Sequence, residues 1–336
     1  MVDVSAFAGR LAKNFKHYSK WARRNGLDAW RVYDRDVPQF PLIIDLYGER
    51  IHLQEYDTGW QIEDADYQAW MAAVQQVITE VTGVPLWQIS LKTRRRQKGE
   101  NQYEKTGREG EDFIVEEQGQ RFWVNLDAYL DTGLFLDHRN TRRRVREEAA
   151  GKRFLNLFAY TGSFTCYAAS GGAVSSETVD LSNTYQAWSR RNFELNGLDL
   201  AKHVLIRDDV FQYLEDAWVA GKQFDLIVMD PPSFSNSKKM MDELDVQRDQ
   251  LKLVDGAMRL LGHWPLAQLS LSIAIPYATY VIADHVLHAS GVVAVVVAGM
   301  TLNWLAPGRL APAAWTNLRE VWDLLAHWAG ALIFVM

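Results

Sequence analysis

The sequence predicts an α/β protein: a parallel, doubly wound sheet in the central region, a small α+β module before it and an apolar helical tail after it. Three observations support this. Between residues 153 and 230, short apolar strands alternate with helical segments, which is typical of parallel sheets. Before residue 128, several strand-like runs accompany two helices. After residue 262, charged residues almost disappear. The predicted domains are therefore 1–128, 129–262 and 263–336.

The composition excludes several classes of protein. The 336 residues are 48% apolar and 23% charged, which is ordinary for a globular chain. Aromatic residues make up 12%, which excludes disorder as the main state. The single cysteine, Cys166, excludes an intramolecular disulfide framework and favours a reducing cytosol. The first residues do not resemble a secretory signal.

The N-terminal module combines helices with strands. Residues 6–25 predict a basic amphipathic helix, and residues 65–82 predict a second helix that ends at Gly83. Strands are predicted at 41–47 and 50–56, with Gly48 in the turn between them. Further strands are predicted at 87–92, 112–116 and 121–126.

Two basic clusters suggest a nucleic-acid partner. The first contains Lys92, Arg94, Arg95, Arg96 and Lys98, followed by Tyr103. The second lies in a predicted helix and contains Arg139, Arg142, Arg143, Arg144 and Arg146. Such clusters bind phosphates, and aromatic rings can stack on bases. A solvated charged loop is the alternative. Because the net charge is −6, any nucleic-acid binding must be local.

The central region predicts four parallel strands. They are the runs 154–158, the segment ending at 178–180, 203–206 and 224–230, with a helix at 182–195. Ligands of such sheets bind at the carboxyl ends of the strands. Residues suited to a ligand follow each strand: the turn Tyr160-Thr161-Gly162, then Asp180, Asp209 and Asp230.

These residues indicate a ligand with an adenosine group and without a pyrophosphate. Asp180 lies about twenty residues after the first strand, where a carboxylate can accept both ribose hydroxyls, and Asp209 can reach an adenine amino group. The turn has one glycine, whereas a dinucleotide fingerprint needs three. S-adenosylmethionine fits this pattern better than NAD.

The run Asp230-Pro231-Pro232-Ser233-Phe234 is the sharpest single signal. Two prolines fix the backbone, and Phe234 can stack on a base that is flipped out or single-stranded. An ordinary strand-ending turn is the alternative reading.

Residues 12–260 resemble the guanine-N7 methyltransferase half of the bifunctional bacterial 23S rRNA (guanine-N2/guanine-N7) methyltransferase. The resemblance is carried by KWARRNGLDAWRVYDRDVP (20–38), LKTRRRQKGENQY (91–103), YLDTGLFLDHR (129–139), FLNLFAYTGSFT (154–165), TVDLSNTYQAW (178–188) and FDLIVMDPPSFSNSKKM (224–240). It implies a class I methyltransferase (Rossmann-like) sheet, here truncated after the fourth strand, behind an RNA-binding module. It also implies S-adenosylmethionine as cofactor, 23S rRNA as partner and a cytoplasmic location.

The resemblance assigns roles to individual residues. The cofactor-binding set is Asn156, Phe158, Tyr160, Thr161, Gly162, Asp180, Asp209 and Asp230. The residues bordering the guanine are Asp230, Pro231, Pro232 and Phe234. The RNA-binding set is Lys92, Arg94, Arg95, Arg96, Lys98, Tyr103, Arg139 and Arg143. The segment Asp131–Arg139 is expected to help close the cofactor pocket. Guanine N7 carries a free lone pair, so Asp230 would orient the base; Cys166 is expected to be packed, and no metal is expected.

The tail has a different character. Residues 261–336 contain five charged residues, and the runs 265–284 and 289–306 have the length of membrane helices. The tail resembles a fragment of a bacterial monovalent cation:proton antiporter, with Asp284 at a helix end, and implies possible membrane association through 265–306. For the tail, the alternative is a buried part of an unusual soluble domain. For the function of the whole chain, the alternatives to an rRNA methyltransferase are an antiporter membrane fragment fused to a cytosolic domain and a non-catalytic RNA-binding remnant.

Overall fold

The computed structural model describes residues 3–56, 59, 63–94, 110–129, 131–232, 234–235, 244–261 and 297. The chain divides into two compact units, 1–260 and 261–336. Apart from residue 297, the tail segments predicted at 265–284 and 289–306 lie outside the described residues, as do Arg95, Arg96, Lys98 and Tyr103. Within the described ranges, no helix combines the length and apolarity that crossing a membrane requires. The predicted domain boundaries remain predictions.

The N-terminal part is a four-stranded sheet covered by two helices. The strands are β1 (Ala29–Asp34), β2 (Leu42–Tyr47), β3 (Arg50–Tyr56) and β4 (Ile89–Arg94), in that order. The pairs β1–β2 and β2–β3 are antiparallel, and β3–β4 is parallel. A parallel pair needs a crossover, which α2 (Asp64–Thr82) provides. Helix α1 (Ser5–Arg24) buries Phe7 and Leu11 in the same core as Trp70 and Val74 of α2.

Both helices begin and end within one residue of their predicted bounds, and Gly83 ends α2 in the left-handed conformation, with φ of 78°. The predicted strands before residue 128 are also found within two residues. Strand β1 was not predicted. Its register with β2 shifts between Arg31 and Tyr33, and this bulge breaks the alternation of apolar and polar residues by which strands are recognised.

A short hairpin connects the two parts of the first unit. Its strands are β5 (Phe113–Glu117) and β6 (Gln120–Val124). Gln118 and Gly119 both have positive φ, 53° and 83°, as a two-residue type I′ hairpin requires. The backbone of Asp28 donates to the Glu116 carbonyl at 2.8 Å. On its other side the hairpin packs against Cys166, Tyr167 and Phe193.

The central region is the predicted parallel sheet. Among the described residues it has four strands, β7 (Arg153–Leu157), β8 (Ser175–Val179), β9 (His203–Ile206) and β10 (Leu226–Met229), in the order β10-β7-β8-β9. Four helices accompany them: α3 (Arg139–Glu148), α4 (Ser163–Ser170), α5 (Asn183–Leu195) and α6 (Val210–Val219). The strand order reverses between β7 and β10, and this is where α/β sheets bind ligands.

Three further elements were not predicted. Strands β11 (Phe234–Ser235) and β12 (Leu244–Asp245) form an antiparallel pair. Helix α7 (Val246–Leu260) follows and buries Leu253, Ala257 and Leu260 against α6. These three residues recur at helical spacing, so the signal for α7 was present in the sequence.

Candidate functional site

The predicted ligand residues gather at the carboxyl edge of the parallel sheet. The turn Tyr160–Gly162 follows β7, Asp180 follows β8, Asp209 follows β9 by three residues, and Asp230 follows β10 directly. Because the four strands are parallel and paired in register, these positions share one edge of the sheet.

The turn after β7 has an unusual backbone. Phe158 and Tyr160 have φ of 55° and 51°, and Gly162 has φ of 71°. Positive φ costs a non-glycine residue on the order of 1–3 kcal/mol, and such conformations cluster at functional sites. Gly162 is also required by packing, because a Cβ there would lie 2.7 Å from Cε1 of Phe193 on α5.

Asp180 is fixed by two backbone amides. The Tyr160 amide donates to Oδ2 at 2.9 Å, and the Ser182 amide donates to Oδ1 at 2.8 Å. Burial raises the pKa of the Asp180 carboxyl to about 6, and the two amides oppose this increase. Each carboxylate oxygen has two acceptor sites, so both oxygens retain one for a ligand hydroxyl.

The segment before α3 is bonded to this turn through Gly133. The Gly133 amide donates to the Tyr160 hydroxyl at 2.8 Å, and the Thr161 hydroxyl donates to the Gly133 carbonyl at 2.7 Å. The Tyr160 ring also packs against Phe135 and Tyr185, with ring centroids 5.0 Å and 4.6 Å away. Burial raises the pKa of the Tyr160 phenol well above its ordinary value. Gly133 was not among the predicted site residues, although it lies in the segment expected to close the pocket.

Two side chains, those of Asp209 and Gln186, make hydrogen bonds that hold the backbone after β8 and β9 in place. Asp209 is the N-cap of α6, because its Oδ1 accepts from the amides of Phe211 at 2.9 Å and Gln212 at 3.4 Å. An aspartate before an apolar helical run predicts this role. Gln186 on α5 donates through Nε2 to the carbonyl of Ile206 at 2.6 Å and to that of Asp180 at 3.2 Å. Gln186 was missed by the sequence analysis.

The Asn156 side chain has a structural role in β7. Asn156 was predicted to bind the cofactor, but its side chain is buried in β7. Its Nδ2 donates to the Thr165 hydroxyl at 3.1 Å, which in turn lies 2.8 Å from the Thr178 hydroxyl. The Asn156 side chain therefore stabilises the interior below the turn, and its predicted contact with the cofactor stays a prediction. Phe158 is half-buried against the core that includes Leu157.

Asp230 is paired with a histidine that the sequence analysis did not select. His138 Nε2 lies 3.2 Å from Asp230 Oδ2, and both side chains keep substantial exposure, 33% and 46%. His138 immediately precedes α3, and its ring contacts Phe164 at 5.7 Å. Pro231 and Pro232 follow Asp230 and are half-buried. The Phe234 backbone pairs with Asp245; its side chain lies outside the described residues.

The second basic cluster divides into inner and outer residues. Glu117, fully buried, accepts from Arg139 Nε on one oxygen and from Arg142 Nε on the other, both at 2.8 Å. The Arg139 guanidinium also donates to the Ala29 carbonyl. Arg139 was predicted to bind RNA; two of its guanidinium nitrogens donate inside the protein, and its contact with RNA stays a prediction. Arg143 is exposed and lies 3.6 Å from Glu147, so it remains in the RNA-binding set.

The first basic cluster is only partly described. The Lys92 amino group donates to the Tyr129 carbonyl, and the Arg94 side chain lies outside the described residues. Cys166 is buried, and burial raises the pKa of its thiol. Among the described residues, no three histidine, cysteine or acidic side chains come close enough to hold a metal ion.

The acidic groups fit an adenosine ligand. Asp180 offers acceptors for two vicinal hydroxyls, and Asp209 lies beside the neighbouring strand end, where an acceptor can meet an amino group. A carboxylate is a poor neighbour for a phosphate. These acceptors therefore agree with a nucleoside that carries no phosphate at this position.

Comparisons with known proteins identify the family of this chain. A family described as S-adenosylmethionine-dependent methyltransferase matches residues 63–261. The chain is 66% identical over 262 residues to ribosomal RNA large subunit methyltransferase K of Neisseria meningitidis serogroup B, covering 78% of this chain and 74% of that protein. It is 52% identical over 256 residues to ribosomal RNA large subunit methyltransferase K/L of Chromohalobacter salexigens, covering 76% of this chain but only 35% of that protein.

Solved structures give the same result for the fold. A methyltransferase crystallised with SAH superposes with a TM-score of 0.65 and 30% identity, over 78% of this chain and 66% of that chain. An S-adenosylmethionine-dependent methyltransferase from Streptococcus mutans superposes with a TM-score of 0.62 and 28% identity, again over 78% of this chain and 66% of that chain. This confirms the predicted Rossmann-like methyltransferase fold and the predicted cofactor. The family match ends at residue 261, and these matches give no support to the antiporter likeness of the tail.

Proposed function

Because the chain belongs to the S-adenosylmethionine-dependent methyltransferase family, we propose that it methylates N7 of a guanine in 23S rRNA. The rRNA substrate is supported by the identity with a relative named as a large-subunit rRNA methyltransferase. One observation supports the proposal most directly. The Asp180 carboxylate accepts a hydrogen bond from the Tyr160 turn, at the same edge of the sheet where Asp230 and its two prolines lie. We also propose that residues 1–128 bind RNA, that residues 129–262 hold the cofactor, and that the protein acts in the cytoplasm.

The residues of this site bind the cofactor and orient the guanine. When bound, S-adenosylmethionine supplies a methyl group on a positively charged sulfur. Asp180 accepts the ribose hydroxyls and Asp209 the adenine amino group, while the Tyr160–Gly162 turn forms the wall beside them. Asp230, Pro231, Pro232 and Phe234 border the guanine. N7 already has a lone pair, so no proton must be removed, and positioning the base in line with the methyl group supplies most of the rate enhancement.

A direct test uses the full chain with S-adenosylmethionine and 23S rRNA that lacks the modification. We expect stoichiometric transfer to one guanine, located by chemical cleavage of the RNA at 7-methylguanine. Methylation at another atom would contradict the N7 assignment. Cofactor binding without any transfer would instead favour the non-catalytic remnant.

We expect Asp180→Asn to weaken S-adenosylmethionine binding by about 10- to 100-fold, because hydrogen bonds to a charged acceptor contribute about 1.5–3 kcal/mol. The affinity of the unmodified protein should also fall as the pH decreases through about 6, where Asp180 becomes protonated. Calorimetry between pH 5 and pH 8 measures both effects.

The matched control is Asp199→Asn, an exposed aspartate in the turn before β9, which should keep both the affinity and its pH dependence. An unchanged pH profile in Asp180→Asn would contradict the role of this carboxylate. The raised pKa has a separate effect on folding. The protonated form is favoured in the fold, so its stabilising contribution is complete below pH 4 and is lost as the pH rises through about 6.

His138 is proposed to hold the Asp230 carboxylate in place. We expect His138→Ala to lower kcat by about tenfold and leave the affinity for S-adenosylmethionine unchanged, because one polar contact is lost at the guanine side. His138→Gln keeps an N–H donor and should recover most of the rate. Steady-state methylation kinetics measure this, and equal rates for the two variants would show that His138 does not act through Asp230.

A further inference from the structure

We propose that a groove between α1 and the neighbouring strand β1 binds a base of single-stranded RNA, with the adjoining phosphates on the lysines of α1. This inference rests on the proposed function, since it names a second contact for the same RNA. The groove has a volume of about 540 Å³, within the range of small-molecule sites. Its walls include Asn14, Tyr18, Trp21, Arg31, Asp34 and Arg139.

Two aromatic rings of α1 face this groove and remain exposed. Tyr18 and Trp21 keep 39% and 40% of their surface exposed, while Phe7 and Leu11 of the same helix are fully buried in the core. Residues three and four apart share one face of a helix, so Asn14, Tyr18 and Trp21 form one stripe. The two rings meet edge to face, with centroids 6.5 Å apart. Exposed aromatic rings of this kind are the platforms on which proteins stack single-stranded bases.

The Trp21 ring is held in position by a residue whose charge is already satisfied. The Arg139 guanidinium lies 5.5 Å from the centroid of the indole, a cation–π distance. The same guanidinium donates a hydrogen bond through Nε to Glu117, which holds it in place. Arg139 therefore acts on the RNA surface indirectly, by orienting Trp21.

The charge of α1 is opposite to that of the whole protein. The helix carries Arg10, Lys13, Lys16, Lys20, Arg23 and Arg24 and no acidic residue, whereas the chain has a net charge of −6. Among the described residues, none of these six forms an ion pair with a carboxylate. Lys13, Lys16 and Lys20 line a depression that adjoins the groove at Tyr18. Unpaired cations along one helix suit a polyanionic backbone.

The acids of the groove determine which part of a nucleotide enters it. Three aspartates line the groove: Asp34 is paired with Arg31 at 2.9 Å, Asp36 accepts from Asn14 at 3.0 Å, and Asp137 is the third. Carboxylates repel phosphates but accept hydrogen bonds from the amino groups of bases. The base therefore enters the groove, and the sugar–phosphate backbone stays outside along the lysines. A paired base could not enter in this way, so the ligand is single-stranded.

The test measures binding of a labelled ten-nucleotide single-stranded RNA to the full chain by fluorescence anisotropy. The combined substitution Tyr18→Ala/Trp21→Ala should weaken binding at least tenfold, since each stacked base contributes strongly to affinity, and Trp21→Phe should retain most of it. Lys16→Gln/Lys20→Gln should weaken binding and reduce the slope of log affinity against log salt by about one to two.

The matched control is Trp218→Ala, which removes an exposed aromatic residue of α6 and should leave RNA binding unchanged. Unchanged S-adenosylmethionine affinity in every variant excludes unfolding as the cause. Equal RNA affinity of Tyr18→Ala/Trp21→Ala and the unmodified protein would overturn the inference, as would equal binding of a duplex. If the RNA binds through Tyr18 and Trp21 but no guanine is methylated, the proposed function fails while this site stands.

Discussion

Glu117→Gln is expected to lower the free energy of unfolding by about 3–5 kcal/mol, because it leaves two buried arginines without their counter-charge. Glu117 is fully buried, and its two oxygens accept from Arg139 and Arg142. The Tyr167 hydroxyl adds a contact to Oε1 at 3.0 Å. An amide of the same shape keeps one acceptor, turns an N–H₂ group toward a guanidinium and removes the negative charge.

Urea denaturation of the two forms measures this loss. Glu116→Gln is the matched control: it changes the same residue type one position earlier, but Glu116 is exposed, so its effect should stay within about 0.5 kcal/mol. If Glu117→Gln unfolds at the same urea concentration as Glu116→Gln, the buried network contributes nothing to stability.

Gly133→Ala is expected to reduce both stability and cofactor affinity. A Cβ at this position would lie 2.3 Å from Cζ2 of Trp188 and 3.0 Å from the Trp123 carbonyl, and the backbone φ of +98° disfavours any side chain. Trp188 has little freedom to move, because its Nε1 donates to the Trp123 carbonyl at 2.8 Å. Overpacking costs about 1–3 kcal/mol and the strained backbone about 1–3 kcal/mol, so the stability loss should be about 2–6 kcal/mol.

The functional part of this prediction follows from the bonds of Gly133. Its amide and carbonyl hold Tyr160 and Thr161, so a shift of the 131–139 segment disturbs the turn that borders the cofactor. We expect S-adenosylmethionine affinity to fall at least tenfold. Gly197→Ala is the control, because φ is +69° there but a Cβ would meet nothing within 4 Å. If Gly133→Ala lowers stability and cofactor affinity no more than Gly197→Ala does, Trp188 moves to accommodate the new Cβ without a loss of stability.

The parts of the fold that the sequence predicted well are those whose signals are local. Strands β7 to β10 are short apolar runs separated by turns and helices, so their order along the chain could be read directly. Strand β1 escaped because a bulge at Arg31–Tyr33 interrupts its alternation. Asp180 and Gly162 could be selected because their position after a strand is a property of the local sequence.

The parts that could not be predicted depend on contacts between distant residues. Arg139 belongs to a run of arginines that looks solvated, and only its contact with Glu117, 22 residues earlier, accounts for its burial. The pairing of His138 with Asp230 joins two elements 92 residues apart. Asn156 has the same residue type as a ligand donor, but Thr165 occupies its amide. In each case the sequence gives the residue type, whereas only the structure gives the residue that it contacts.

The buried Glu117 network also restricts how this chain can change over generations. Replacing all three ionic groups by apolar ones can be neutral or even stabilising in proteins, so an apolar version of this core is an attainable end state. Every route to it by single substitutions passes through a form with an uncompensated buried charge. Each such form loses about 3–5 kcal/mol from a total stability of about 5–15 kcal/mol. Loss of Glu117 removes the counter-charge of both arginines at once, whereas loss of one arginine still leaves Glu117 paired with the other. Glu117 is therefore expected not to be the first of the three to change.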